Sequence, residues 1–155
     1  MKIIVMSVYD AFEYVMNHYV PYGIDISEAL ENDTYAIISI QDKQSKGFGI
    51  EFKESRSCLK TCTLYFDDVY KRTAGTTAFN KTTARKVLDF VESVKDEIDT
   101  LVIHCYAGQS RSYTIGRFLY DYGYTDDFDA YNTGSINPII YETLGKCLNN
   151  KKSDD

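Results

Sequence analysis

A chain of 155 residues is long enough for one domain with an independent core, and its 44% hydrophobic and 26% charged composition is that of a soluble globular protein. A formal charge of -6 excludes a general nucleic-acid or anionic-membrane surface, each of which needs a basic face, so any phosphate site has to be local. Four cysteines without a CxxC pair and only two histidines give no tetrahedral zinc pattern, and no apolar run approaches the roughly 20 residues that cross a bilayer.

Residues 2–8 read as a first buried strand; the opening Met1-Lys-Ile-Ile-Val-Met6 is too short and too weakly charged for a secretory signal, so a cytoplasmic protein with free thiols is expected. A helix follows, opened by a capping-box pair, Ser7 and Asp10. Its apolar residues Phe12, Val15, Met16 and Tyr19 share one face, and Pro21 and Gly23 end it. Tyr35-Ala-Ile-Ile-Ser-Ile40 is a continuous apolar run of strand length. Gly49-Ile-Glu-Phe52 and Cys62-Thr-Leu-Tyr-Phe66 read as further short strands, with Gly47 and Gly49 marking a bend. From about Asn80 to Ile98, Val87, Phe90, Val91, Val94 and Ile98 recur at helical spacing, and Thr100-Leu-Val-Ile-His104 is a buried strand. A third helix starts after Gly108, with Ile115, Phe118, Leu119 and Tyr122 inward and Gly123 as its stop. Asn137 and Pro138 supply a cap and a first-turn proline for a last helix that buries Ile140, Leu144 and Leu148. Strands alternating with helices predict a single α/β domain over 1–149, with a disordered tail at 150–155. Its architecture should be a three-layer sandwich with a central, mainly parallel sheet of four to five strands.

The segment His104-Cys-Tyr-Ala-Gly-Gln-Ser-Arg-Ser112 carries the chemistry. A strand ending at His104, a loop and a helix starting near Ser110 turn the N–H groups of Tyr106, Ala107, Gly108, Gln109, Ser110 and Arg111 around one point, an anion cradle. Gly108 supplies the positive φ that such a curl needs. Cys105 lies at the edge of the cradle, where the helix dipole and a guanidinium suit a nucleophilic sulfur. Arg111 brings a planar fork matched to two phosphoryl oxygens. The spacing singles out Cys105, because Cys58, Cys62 and Cys147 have Leu64, Asp68 and Ser153 where Cys105 has Arg111.

His104-Cys105-x-x-Gly108-x-Ser110-Arg111-Ser112 resembles the signature loop of the protein tyrosine phosphatase superfamily, nearest to compact dual-specificity phosphatases of small bacterial or phage type. The first strand, the strand ending at Ile40, Phe66-Asp-Asp68 and the Asn-Pro helix resemble other segments of those proteins, so the likeness spans nearly the whole chain. The resemblance implies a cysteine-phosphatase fold and a phosphocysteine intermediate on Cys105. It also implies Arg111 on the phosphate, Ser112 Oγ stabilising the departing thiolate and His104 bracing the loop. It further implies a general acid from a loop upstream, where Asp68 is favoured and Asp67 is the alternative. Consecutive residues leaving a strand point to opposite sides, so only one of the two carboxylates faces Cys105. The polar segment 71–76 after them has the composition of a lid.

The leading expectation is thus a phosphatase for phosphotyrosine, with phosphoserine and phosphothreonine as further targets, whose partner is a phosphoprotein or phosphopeptide and not a nucleic acid or a membrane. Because nucleophile, clamp and acid are all side chains, no metal or organic cofactor is implied. One alternative uses the same loop on a phosphoinositide or an RNA 5′-phosphate, against which the lack of basic residues at 106–109 counts. A second alternative is a module that holds a phosphoprotein without turning it over. Cys58 and Cys62 read as small apolar packing residues, with a resolving-thiol role for either as the sharper and less favoured idea.

Overall fold

The computed structural model describes residues 1–25, 33–43 and 49–153. Five strands, β1 (Lys2–Met6), β2 (Tyr35–Gln41), β3 (Cys58–Tyr65), β4 (Thr100–His104) and β5 (Phe128–Ala130), form one sheet in the order β3-β2-β4-β1-β5. Every pairing is parallel, so the expected mainly parallel sheet is wholly so. Helices α1 (Val8–Asn17), α2 (Lys81–Val94), α3 (Arg111–Asp121) and α4 (Pro138–Ser153) cover the faces, giving the expected three-layer α/β sandwich.

All seven residues of β2 and all five of β4 are buried, as continuous apolar runs between two helical layers should be. One face of the sheet packs against α2, α3 and α4 around Ile38, Ile103, Leu88, Phe118 and Leu144. The other carries α1, through Ala11 and Tyr14 against Ile4, Ile37 and Val102. Gly116 lets α3 lie close to the sheet, since a Cβ there would come within 2.5 Å of Val5 Cγ2.

Several expectations are corrected. Helix α1 buries Val8, Ala11 and Tyr14 and packs Val15 half-buried beside them, whereas Phe12 and Met16, and Tyr19 just beyond the helix, point to solvent at 47%, 68% and 60% exposure. Both stripes have helical spacing, and the small Ala11 permits the closer approach to the sheet, so bulk lost to fit. Residues 49–52 form no strand: the Ile50 carbonyl accepts from the Gln41 side chain, and Phe52 is buried edge-on to the His104 ring. Gly49 has φ +71° and does bend the chain, whereas Gly47 lies outside the described residues. Tyr122 is 43% exposed, stacked over Phe118 instead of beneath it. Strand β5 has only three residues, the half-buried Phe128 and Ala130 around the exposed Asp129, and no periodic run, which is why the sequence pattern passes over it. Finally, α4 continues through residues 150–153, where a disordered tail was expected, and Lys151 Nζ donates to Asp89 Oδ1 at 2.9 Å.

In a parallel sheet all carboxyl ends lie on one edge, and loops leaving them converge there. Here that edge gathers Ser7 after β1, Asp42 after β2, Phe66 to Asp68 after β3 and Cys105 after β4.

Candidate active site

The loop from Cys105 to Ser110 is held from outside by its carbonyl groups. Cys105 C=O accepts from His104 Nδ1 at 3.1 Å, Tyr106 C=O from the Val8 N–H at 3.1 Å, Ala107 C=O from Asn132 Nδ2 at 3.2 Å and Gln109 C=O from the Ser135 N–H at 2.9 Å. With its carbonyls anchored outward, the loop turns N–H groups toward its centre, where Gly108 N–H donates to Cys105 Sγ at 3.2 Å. Gly108 has φ +73°, and a Cβ there would lie 2.5 Å from the Met6 carbonyl carbon, so conformation and space both require glycine. Ser112 Oγ lies 3.1 Å from Cys105 Sγ, and both sit at the amino end of α3.

His104 is fully buried and uncharged. Burial, opposed by its bond to the Cys105 carbonyl and helped by the nearby Arg111 charge, lowers it to about 4. Since a carbonyl can only accept, Nδ1 carries the proton and Nε2 accepts from Ser39 Oγ at 2.7 Å. Ser39 is the register partner of His104 across β2 and β4, and its oxygen accepts in turn from Gln41 Nε2 at 3.2 Å. A buried chain of hydrogen bonds thus runs from β2 to the backbone of the cysteine loop.

Arg111 is 5% exposed, and its Nη1 donates to the Phe66 carbonyl at 3.0 Å and forms a short ion pair with Asp42. Those contacts fix the plane of the guanidinium. Its Nε is buried with no partner among the described residues, a donor that a bound oxyanion would satisfy. Asp42 is absent from the sequence reading, as are Ser39 and Gln41. The signal for the last two was legible: two polar residues, i and i+2, inside an otherwise apolar strand buried on both faces.

The two aspartates make different contacts. Asp67 is 8% exposed and is not among the residues that line the cleft of Cys105: Oδ1 accepts from the Lys43 N–H at 3.0 Å and Oδ2 from the Thr77 N–H at 2.8 Å, tying two loops together. Asp68 lines a cleft of about 360 Å³ together with Cys105, Arg111, Ser110, Asp42 and Tyr70. Its Oδ1 accepts from Ser110 Oγ at 2.9 Å and from Asn137 Nδ2 at 3.0 Å, so a helix cap also steadies this carboxylate. Tyr106, Ala107, Gln109 and Ser135 complete the lining. Segment 71–76 has no regular structure, and Tyr70 ahead of it places its hydroxyl 3.3 Å from Ser110 Oγ.

All four cysteines are free thiols. Burial raises Cys62 and pushes Cys58 up to about 11, which makes both poor nucleophiles and fits packing better than exchange with Cys105.

No protein-family model and no curated protein matches the sequence. Among solved structures, the crystal structure of PTPMT1 in complex with PI(5)P is similar to this chain, with a TM-score of 0.51 and 16% sequence identity over 80% of this chain and 81% of that one. The likeness is one of fold: both chains share an α/β sandwich.

Proposed function

We propose that the protein is a cysteine-dependent phosphatase that hydrolyses phosphotyrosine, and phosphoserine or phosphothreonine as well, through a phosphocysteine intermediate. The observation that carries this reading is the surroundings of Cys105 Sγ, with Ser112 Oγ at 3.1 Å, the Gly108 N–H at 3.2 Å, and Arg111 and Asp68 in the same cleft. The sandwich shared with PTPMT1 supports it.

In the proposed reaction the phosphoryl oxygens lie against the inward N–H groups and Arg111, which Asp42 and the Phe66 carbonyl hold in plane. The Cys105 thiolate attacks phosphorus, an S–P bond forms, and the bond to the leaving oxygen breaks as Asp68 delivers its proton there. Asp68, now ionised, takes a proton from water as that water attacks phosphorus. The S–P bond breaks, phosphate departs, and the sulfur leaves as a thiolate that the Ser112 hydroxyl and the Gly108 N–H stabilise.

A second reading, a phosphoinositide phosphatase, is favoured by the PI(5)P bound in the PTPMT1 structure. Against it stands the cleft itself, where Arg111 is the one cation beside two carboxylates among the described lining residues. The expected outcome is hydrolysis of an aryl phosphate and of phosphotyrosine peptides by the wild type, and a fall of three orders of magnitude or more in Cys105→Ser. A wild type silent toward both would remove the reading. Faster turnover of phosphoinositide vesicles than of any peptide would install the second one.

A further inference from the structure

Beside the cleft, several large apolar side chains are exposed, among them Tyr9, Phe12, Met16 and Tyr106. Tyr106 lines the catalytic cleft and also a neighbouring apolar groove of about 470 Å³ formed with Val8, Tyr9, Phe12 and Ile50. Its ring meets that of Tyr9 edge-on at 6.1 Å. Tyr9 is 70% exposed and Phe12 47%, and the same helix face continues to Met16. This is the stripe of α1 that the core does not use. A solvent-facing row of large apolar side chains that opens directly onto a reactive cleft has the character of a binding surface.

We propose that this groove binds the chain flanking the phosphorylated residue of a peptide substrate, seating an aromatic or aliphatic side chain between Tyr9, Phe12 and Ile50; the proposal rests on the phosphatase reading above. Geometry fits an extended peptide. From Tyr9 to Met16 the helix rises about 10 Å at 1.5 Å per residue, which is the reach of about three extended residues. Charge selects the same occupant. Burial raises the Tyr131 phenol beside α1 and the carboxylates of Asp129, Asp10 and Glu13 raise it further, while Glu51 and Glu54 outnumber Lys53 at the far end of the apolar stripe. An acidic border repels anionic lipid and attracts a peptide with basic residues beyond its apolar anchor. A phosphoinositide with its acyl chains in the groove would have to bring a charged bilayer against that border.

The test is a set of phosphotyrosine peptides, alanine elsewhere except for terminal lysines, in which one leucine is walked through the three positions on each side of the phosphotyrosine. Full burial of leucine predicts that one register raises kcat/KM at least tenfold over the alanine peptide. The double variant Tyr9→Ser, Phe12→Ser should lose that preference while turning over a small aryl phosphate at the wild-type rate, because neither residue lines the catalytic cleft. Equal kcat/KM in all registers, or a preference that survives the double substitution, overturns the groove while the aryl phosphate result preserves the phosphatase reading. A wild type inert to the aryl phosphate overturns both. If the double substitution slowed hydrolysis of phosphoinositide vesicles and left every peptide unchanged, the groove would be a lipid site and the proposal would fail.

Discussion

Asp67 and Asp68 follow the end of β3 and make different contacts, and each can be tested by what it touches. The carboxylate of Asp67 receives two backbone N–H groups, from Lys43 and Thr77, and is 8% exposed. Asp67→Ala is expected to cost about 2 kcal/mol in urea unfolding, since both donors are left without their charged acceptor. Asp68 faces the cleft, and Asp68→Asn should leave stability nearly unchanged while lowering kcat by about a hundredfold or more on a substrate with a poor leaving group. With an aryl phosphate whose leaving group needs no proton the loss should shrink. A reversed pattern, with Asp67→Ala inactive and Asp68→Asn active, would move the acid by one residue.

At the level of elements, the amino end of α4 does more than start a helix. The Asn137 side-chain oxygen accepts from the Ile139 and Ile140 N–H groups, as the cap signal predicts, while its Nδ2 donates to Asp68 Oδ1 and to the Val69 carbonyl, both at 3.0 Å. Its own N–H donates to Thr114 Oγ1 at 2.8 Å, which ties α4 to α3. Asn137→Ser keeps a capping oxygen and loses both amide contacts, so a fall of about tenfold in kcat is expected with little loss of helix stability. Asn137→Asp should be worse, because it sets a second carboxylate against Asp68; its pH profile for aryl phosphate hydrolysis should shift where that of Asn137→Ser does not. Helix α1 teaches the complementary lesson. Its period and its cap were legible, down to the Ser7 and Asp10 pair, but two stripes competed for the inside and the smaller one won.

Across the whole molecule, stability should depend on pH through His104. Its folded value of about 4 lies below the ordinary 6.5, so between those limits the unfolded chain binds a proton that the folded chain refuses. The contribution is fully present above pH 6.5 and is lost as pH falls toward 4, by up to about 3 kcal/mol. Urea unfolding of wild type across that window should show the slope, and His104→Gln should flatten it. A wild type equally stable at pH 7 and pH 4.5 would contradict a neutral, buried His104.

Features with local geometry are the ones legible along the chain. Cys105, Gly108, Arg111 and Ser112 fall within eight residues, so one strand end, one curl and one helix amino terminus are enough to place them side by side, and the rest of the chain only anchors that loop. The buried parallel strands announced themselves as apolar runs, and with them the sandwich. Long-range packing settles which aspartate enters the cleft, that Asp42 just after β2 steers Arg111, that Ser39 and Gln41 brace His104, and that α1 leaves an aromatic face beside Tyr106. Those partners are separated by tens of residues in the chain. They meet because a parallel sheet puts the carboxyl ends of all its strands on one edge, and no local pattern encodes which side chains from different strands will share it.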